Sequence, residues 1–255
     1  MKEQALFSVY TVQQVSAENV HTRTLVLDRP LTGAYPGQYI MAWLPGISEK
    51  PFSLSGSDPL AVTICDVGPL SHALCQLQPG DRVWLRGPLG NGFQLSSGFH
   101  LLVGGGYGAA PLCFLAKMAR RQGDRVAVCL GAKSKHELLL AAQFEALGCA
   151  VYLTTEDGSQ GVQGLVTSAV QAAITRDQPG MLYACGPNGL LLAAVELARQ
   201  AHIPCQLSFE ALIRCGIGLC GSCELPEDTC ARLGVPSGFL VCHDGPVMHI
   251  PNRLP

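Results

Sequence analysis

Leu101-Leu102-Val103-Gly104-Gly105-Gly106-Tyr107-Gly108-Ala109-Ala110-Pro111-Leu112 is the stretch on which the fold is decided. An apolar run of strand length enters a glycine cluster, and a helix-forming run leaves it. Glycines at such a junction permit a tight turn and let phosphate oxygens approach the N–H groups of the helix N-terminus. Taken alone, the turn fits a purely structural connection as well as a nucleotide site. It is not a strict G-x-G-x-x-G, which disfavours an ordinary Rossmann dehydrogenase.

Downstream of this turn the pattern repeats. Strands are expected at His100–Val103, Arg125–Leu130, Ala150–Thr154, Met181–Ala184 and Pro204–Ser208. Helices are expected at Ala109–Arg121, Lys135–Leu147, Val162–Ala173 and Asn188–Ala201. Strands alternating with helices of this length give a parallel α/β sheet. Ligands of such sheets bind beyond the carboxyl ends of the strands. The turn Ala184-Cys185-Gly186-Pro187-Asn188 should then face the same crevice as Gly104, Gly105, Gly106 and Gly108; by itself it reads as a plain strand–helix connection. Glu156 and Asp157 follow one strand and would repel a ribose 2′-phosphate, whereas Lys133 and Lys135 follow another and could bind one. NADH and NADPH both stay open on these residues.

Upstream, residues 1–97 consist of short alternating runs separated by Gly and Pro, which reads as a small antiparallel β-barrel. Lys50-Pro51-Phe52-Ser53 places a cation, an aromatic ring and a hydroxyl in four residues, a set that suits a flavin; the plain alternative is a strand edge with a proline. Val67-Gly68-Pro69-Leu70-Ser71 offers a second anion-binding turn, with Ser71 as N-cap of a short helix. Gly87-Pro88-Leu89-Gly90-Asn91-Gly92-Phe93 closes the domain.

From residue 209 the regularity ends. Cys215, Cys220 and Cys223 stand at C-x4-C-x2-C spacing with glycines between them, the pattern of a plant-ferredoxin iron–sulfur loop. Cys242, in Val241-Cys242-His243-Asp244-Gly245-Pro246-Val247, is the fourth candidate ligand, and Cys230 competes with it. Structural zinc is the bland alternative, although Cys242 lacks the paired knuckle that zinc sites usually use. Cys65, Cys75, Cys113, Cys129, Cys149 and Cys205 sit in apolar runs and read as small buried hydrophobes.

The expected class is therefore α+β and multidomain: a barrel over 1–97, a parallel α/β domain over 98–208 and a cysteine-rich module over 209–255. With 48% hydrophobic and 14% charged residues, the chain can fill such cores. A net charge of −2 with scattered Lys and Arg argues against nucleic acid as a partner. No run approaches the ~18 apolar residues of a membrane helix. Without an apolar signal core at the start, a reducing, cytoplasmic setting is expected for the cysteines.

The ordered set KPFS, GPLGNGF, GGGYGAAPL, CGP, CGIGLCGSC and VCHDGPV resembles the ferredoxin–NADP+ reductase-like superfamily. Within it, the chain is similar to the electron-transfer subunits of class B dihydroorotate dehydrogenase. The resemblance runs over nearly the whole chain, and the last two motifs narrow it most. It implies FAD on the barrel, NAD(H) on the α/β domain and a [2Fe–2S] cluster in the tail. It further implies an FMN-containing catalytic partner subunit in a heterotetramer. Phe52 and Ser53 match the aromatic–Ser pair that contacts flavin, with Ser53 tuning N5 and Cys185 lining the nicotinamide pocket. Two positions depart from the pattern. Lys50 stands where an arginine is usual and lacks its bidentate fork, and Leu70 replaces a glycine in the second flavin turn.

Hydride transfer needs ring-on-ring positioning and no protein acid or base. No catalytic triad is expected, and the seven histidines read as surface or core. Glu210 could order the junction before the cysteine loop or touch flavin; a solvated carboxylate is the simpler reading. The rival functions are a reductase subunit of another complex, such as a soluble hydrogenase or an NADH-dependent ferredoxin:NADP+ oxidoreductase, a cluster-bearing redox sensor, and a zinc-stapled scaffold.

Overall fold

Period-two patterning in the first third produces the barrel. In this computed structural model, which describes residues 6–250, β1 (Ser8–Ala17), β2 (Thr22–Leu27), β3 (Tyr39–Leu44), β4 (Ser48–Ser57), β5 (Leu60–Cys65) and β6 (Arg82–Leu89) close on themselves. The order is β1-β2-β5-β4-β3-β6, with neighbours antiparallel. Leu25, Ile40, Leu54, Val62 and Leu85 fill the interior. Strand β3 departs from simple alternation: Tyr39 and Met41, which face outward, are as buried as Ile40 and Ala42. The cysteine-bearing tail covers them, and both join its apolar cluster.

Helix α1 (Pro69–Cys75) follows β5. Its N-cap is Gly68, so Ser71 is one turn further in than expected. Ser71 Oγ accepts the N–H groups of Gly68 and Val67 at 2.9 and 3.0 Å, so it still satisfies donors at this helix start.

The second body is a sheet of seven strands in the order β10-β9-β8-β7-β11-β12-β13. Its elements are β7 (Phe99–Gly105), α2 (Ala109–Arg121), β8 (Arg125–Ala132), α3 (Ala141–Ala146), β9 (Ala150–Thr155), β10 (Val162–Gln163), α4 (Val166–Asp177), β11 (Met181–Cys185), α5 (Asn188–Gln200) and β12 (Cys205–Ser208), then α6 (Glu227–Leu233) and β13 (Val247–Ile250). All pairings are parallel except the last, β12 with β13. The central strands are buried on both faces, which is why they read as continuous apolar runs.

Two expected helices are redrawn. Over 135–147 the chain makes a 3-10 turn at Lys135–Glu137, passes Leu140 at φ +60°, and is α-helical only over Ala141–Ala146. Three consecutive leucines, Leu138–Leu140, cannot share one helix face, and Leu139 and Leu140 are buried outside the helix. Over 162–173 the first two residues pair with β9 as β10, and Gly164 at φ +126° breaks the chain before α4 begins. The tail also holds order that its sequence hides: α6 packs against α5, and β13 adds an antiparallel strand to the sheet edge.

Candidate redox site

Strands β7 and β11 lie side by side, and the chain leaves them toward opposite edges of the sheet. Their carboxyl ends therefore form a topological switch point, where α/β sheets bind ligands. The two turns interlock. A Cβ on Gly108 would lie 2.2 Å from the Cys185 carbonyl oxygen, so only glycine permits this crossing. Gly105 packs against Pro187 and Leu190, and Gly186, at φ +151°, packs back on Gly105.

Two cavities open here. One, of ≈ 260 Å³, lies between the barrel and the sheet and is lined by Pro51, Phe52, Ser53, Gly108, Cys185 and Phe209, among others. The second, of ≈ 870 Å³, runs over the sheet and is lined by Gly105, Gly106, Lys133, Glu137, Glu156 and Pro187, among others. Tyr107 borders both and donates its phenol to Glu210 Oε2 at 2.9 Å. Burial pushes the Tyr107 phenol up to about 12, with the Glu210 charge adding to it. Desolvation likewise raises Glu210, against the Tyr107 hydrogen bond. Glu210 is exposed at the rim of the first cavity, with the Tyr107 phenol as its partner.

The other expected residues fall outside the two linings. Lys50 is exposed on β4, Leu70 is in the barrel core, and Gly104 lies inside the sheet. Gly68 has open space where a Cβ would stand. Gly92 belongs to a separate loop, where a Cβ would meet the Pro36 carbonyl at 2.6 Å. Lys135 is also outside the second cavity, and Asp157 turns its carboxylate onto Ser159, so of these four Lys133 and Glu156 face in, beside Glu137 and Asp66.

These surroundings suit the groups that the motifs imply. The first cavity offers a flat apolar wall, a hydroxyl and a small sulfur-bearing side chain, the makings of an isoalloxazine slot. In the second, Gly106 and Gly189 have no atom within 4 Å of a would-be Cβ, so backbone there is open to a phosphate.

Cysteine burial is graded. Cys223 and Cys242 are buried, Cys215 is half-buried and Cys220 is exposed. Cys215 and Cys220 act on one another's thiols, as do Cys223 and Cys242, and Cys220 Sγ lies 3.1 Å from Ser222 Oγ. Backbone N–H groups point at the sulfurs: Ile217 to Cys215 at 3.5 Å, Gly218 to Cys242 at 3.2 Å and Cys242 to Cys223 at 3.4 Å. Gly216 and Gly218, at φ +70° and +79°, make this wrapping possible. Burial raises the Cys215 thiol, but the N–H groups of Ile217, Cys220 and Leu219 outweigh it and bring the value to about 6. Burial, then the Cys223 thiol, pushes Cys242 up to about 12.

Among the described residues, no three His, Cys, Asp or Glu side chains converge on a single-ion position. The C-x4-C-x2-C spacing with a lone Cys242 fits an iron–sulfur loop better than the two paired knuckles usual for zinc. Cys230 is buried on α6 beside Leu225 and Leu233, and the charges that act on its thiol are those of Glu224, Asp228 and Glu227.

The barrel holds this loop directly. Tyr39 donates its phenol to the Cys242 carbonyl at 3.0 Å and to that of Gly216 at 3.4 Å. Arg86 Nη2 donates to the Cys215 carbonyl at 2.8 Å, and Asn91 Nδ2 to that of Asp244 at 2.8 Å.

Residues 210–251 match the model of the iron-sulfur cluster binding domain of dihydroorotate dehydrogenase B, and residues 102–196 match the oxidoreductase NAD-binding domain. A relative from Methanopyrus kandleri, named "probable dihydroorotate dehydrogenase B (NAD(+)), electron transfer subunit", is 38% identical over 248 residues, covering 93% of this chain and 90% of its own. The chain belongs to the electron-transfer subunits of dihydroorotate dehydrogenase B. A Thermococcus kodakarensis relative of the same name is 42% identical over 212 residues, 83% of each chain. A solved NADH-dependent reduced ferredoxin-NADP oxidoreductase superposes with a TM-score of 0.81 at 25% identity, covering 95% of this chain and 88% of that one. A Neisseria gonorrhoeae ferredoxin NADP+ reductase shares the fold, with a TM-score of 0.63 at 17% identity over 76% of this chain and 91% of its own.

As a member of this family, the chain is an oxidoreductase subunit that serves a separate catalytic subunit. Three of its site neighbours escape a reading of the sequence. Tyr39 and Arg86 look like ordinary strand residues. Tyr107 leaves one signal, a large aromatic inside a glycine run.

Proposed function

We propose that this subunit passes electrons between a [2Fe–2S] cluster on Cys215, Cys220, Cys223 and Cys242, an FAD in the barrel-side cavity and NAD(H) in the cleft over the sheet. The electrons come from an FMN-containing subunit that oxidises dihydroorotate. Bound FAD supplies the conversion between single electrons and a hydride. The observation that carries the reading is Tyr39: one side chain lines the flavin cavity and donates to the backbone of a cluster ligand.

The residues divide the work. Phe52 and Ser53 present a ring and a hydroxyl to the flavin, and Cys185 and Gly108, packed tightly on one another, line the same cavity where a nicotinamide would meet it. Lys50 remains available for the flavin phosphates only by extending from the rim. Glu137 and Glu156 in the second cleft disfavour a 2′-phosphate, which supports NAD over NADP although Lys133 lies nearby. The buried pair Cys223 and Cys242 faces the flavin side through Tyr39, and the outer pair Cys215 and Cys220 faces the surface. Around that surface, Leu212, Ile217 and Leu219 are exposed, an apolar rim on which the catalytic subunit would dock in a heterotetramer.

The division into a FAD barrel over 1–97, an NAD(H) domain over 98–208 and a cluster module over 209–255 follows from this assignment. A cytoplasmic setting agrees with the free cysteines, and among the described residues no helix is long and apolar enough to cross a membrane. The test is reconstitution. The purified chain should reduce dyes with NADH but oxidise dihydroorotate only after the catalytic subunit is added. Steady dihydroorotate oxidation by the chain alone would contradict the proposal.

A further inference from the structure

Arg86 sits on β6 where the barrel meets the cysteine loop. Its side chain is 9% exposed, its Nη2 donates to the Cys215 carbonyl at 2.8 Å, and its Nε donates to the Glu49 carboxylate. Glu49, at the start of β4, is 27% exposed. The loop is shaped around the guanidinium: a Cβ on Gly216 would stand 3.4 Å from Arg86 Nη2. A nearly buried cation, paired with a partly exposed carboxylate, thus stands beside the first cysteine of the loop. Charges in such a place act several-fold more strongly than in water. A cluster that accepts an electron becomes more negative. A fixed cation beside it favours the reduced form, and a fixed carboxylate favours the oxidised form.

We propose that Arg86 and Glu49 set the reduction potential of the cluster, Arg86 raising it and Glu49 holding that effect in check. The inference rests on the assignment of the cluster to Cys215, Cys220, Cys223 and Cys242. Both are positioning residues: Arg86 reaches the cluster site through the Cys215 backbone, and Glu49 acts through Arg86. A purely mechanical tether makes a different forecast. Breaking the pair from either side would loosen the same loop and move the cluster's properties in the same direction.

The experiment is an anaerobic redox titration of the full, cluster-loaded chain followed by electron paramagnetic resonance, on wild type, Arg86→Gln, Arg86→Lys and Glu49→Gln. Arg86→Gln should shift the midpoint potential down, Glu49→Gln should shift it up, and Arg86→Lys should stay nearer wild type than Arg86→Gln. Shifts of the same sign in Arg86→Gln and Glu49→Gln, or no shift in either, would overturn the proposal. If Arg86→Gln fails to load, Glu49→Gln decides alone, because it leaves the Cys215 contact in place: an upward shift supports the proposal and any other result overturns it. A wild-type chain with no cluster signal would instead strike down the ligand assignment, and the proposal with it.

Discussion

The hydroxyl of Tyr39 reaches the carbonyl oxygen of Cys242 at 3.0 Å while the same side chain lines the cavity beside Phe52 and Ser53. Burial, then Cys242 and Cys223, keeps this phenol protonated far above the physiological range, so it stays a donor. Tyr39→Phe leaves the Cys242 carbonyl without this partner in a buried seam. The expected cost is about 1–3 kcal/mol of stability. Loss of the cluster to a chelator should accelerate roughly ten-fold, as for other residues that orient a metal ligand. Thermal unfolding and the decay of visible absorbance under chelator measure the two effects.

Cys230 and Cys242 make opposite forecasts. Cys230 packs among apolar side chains of the tail, whereas the sulfur of Cys242 accepts the Gly218 N–H and the Cys242 N–H donates to the Cys223 sulfur. Cys230→Ser should retain iron and labile sulfide at the wild-type ratio, with a modest stability loss. Cys242→Ser should lose most of both. Equal retention in the two variants would reopen the choice of fourth ligand.

At the switch point, Gly108→Ala adds a methyl group 2.2 Å from the Cys185 carbonyl. The two turns must separate, at a cost of roughly 1–3 kcal/mol or more. Both NADH and flavin affinity should fall, because the displaced turns wall both cavities. Flavin retention on gel filtration and a titration with NAD+ would measure this.

The amino end of the sheet carries a pH-sensitive contact. Asp124 accepts the Gly98 N–H at 2.8 Å and pairs with the buried His100 at 3.2 Å. The Gly98 hydrogen bond, ahead of His100, holds its carboxyl below the ordinary 3.8. A native pKa below the unfolded one contributes stability that is complete above the unfolded value and is lost as pH falls through the native value. Asp124→Asn should lower stability by about 1–2 kcal/mol at neutral pH and flatten the acid limb below about pH 4. Unfolding midpoints collected over that range read both effects.

Local signals carried much of this architecture. Period-two runs marked the barrel, and the glycine turn after Val103 marked the central strand and α2, whose bounds match the expectation at both ends. The misread helix over 135–147 failed because periodicity cannot say which of three adjacent leucines the core will take. Strand β13 was hidden because four residues gain strand character only by pairing with β12. Tyr39 and Arg86 were illegible for a related reason. Their partners lie 203 and 129 residues away in sequence, and no local pattern encodes such contacts.

The central claim is one continuous electron path from NADH through the barrel cavity to the cysteine loop. Its most direct test is an anaerobic absorption and electron paramagnetic resonance measurement on the purified chain, before and after addition of NADH. The account predicts a flavin spectrum on a broad cluster background, both bleached by NADH, with a paramagnetic cluster signal appearing as they bleach. Flavin that bleaches while the cluster stays oxidised and silent, or a chain that carries zinc on its cysteines and no iron, would contradict it.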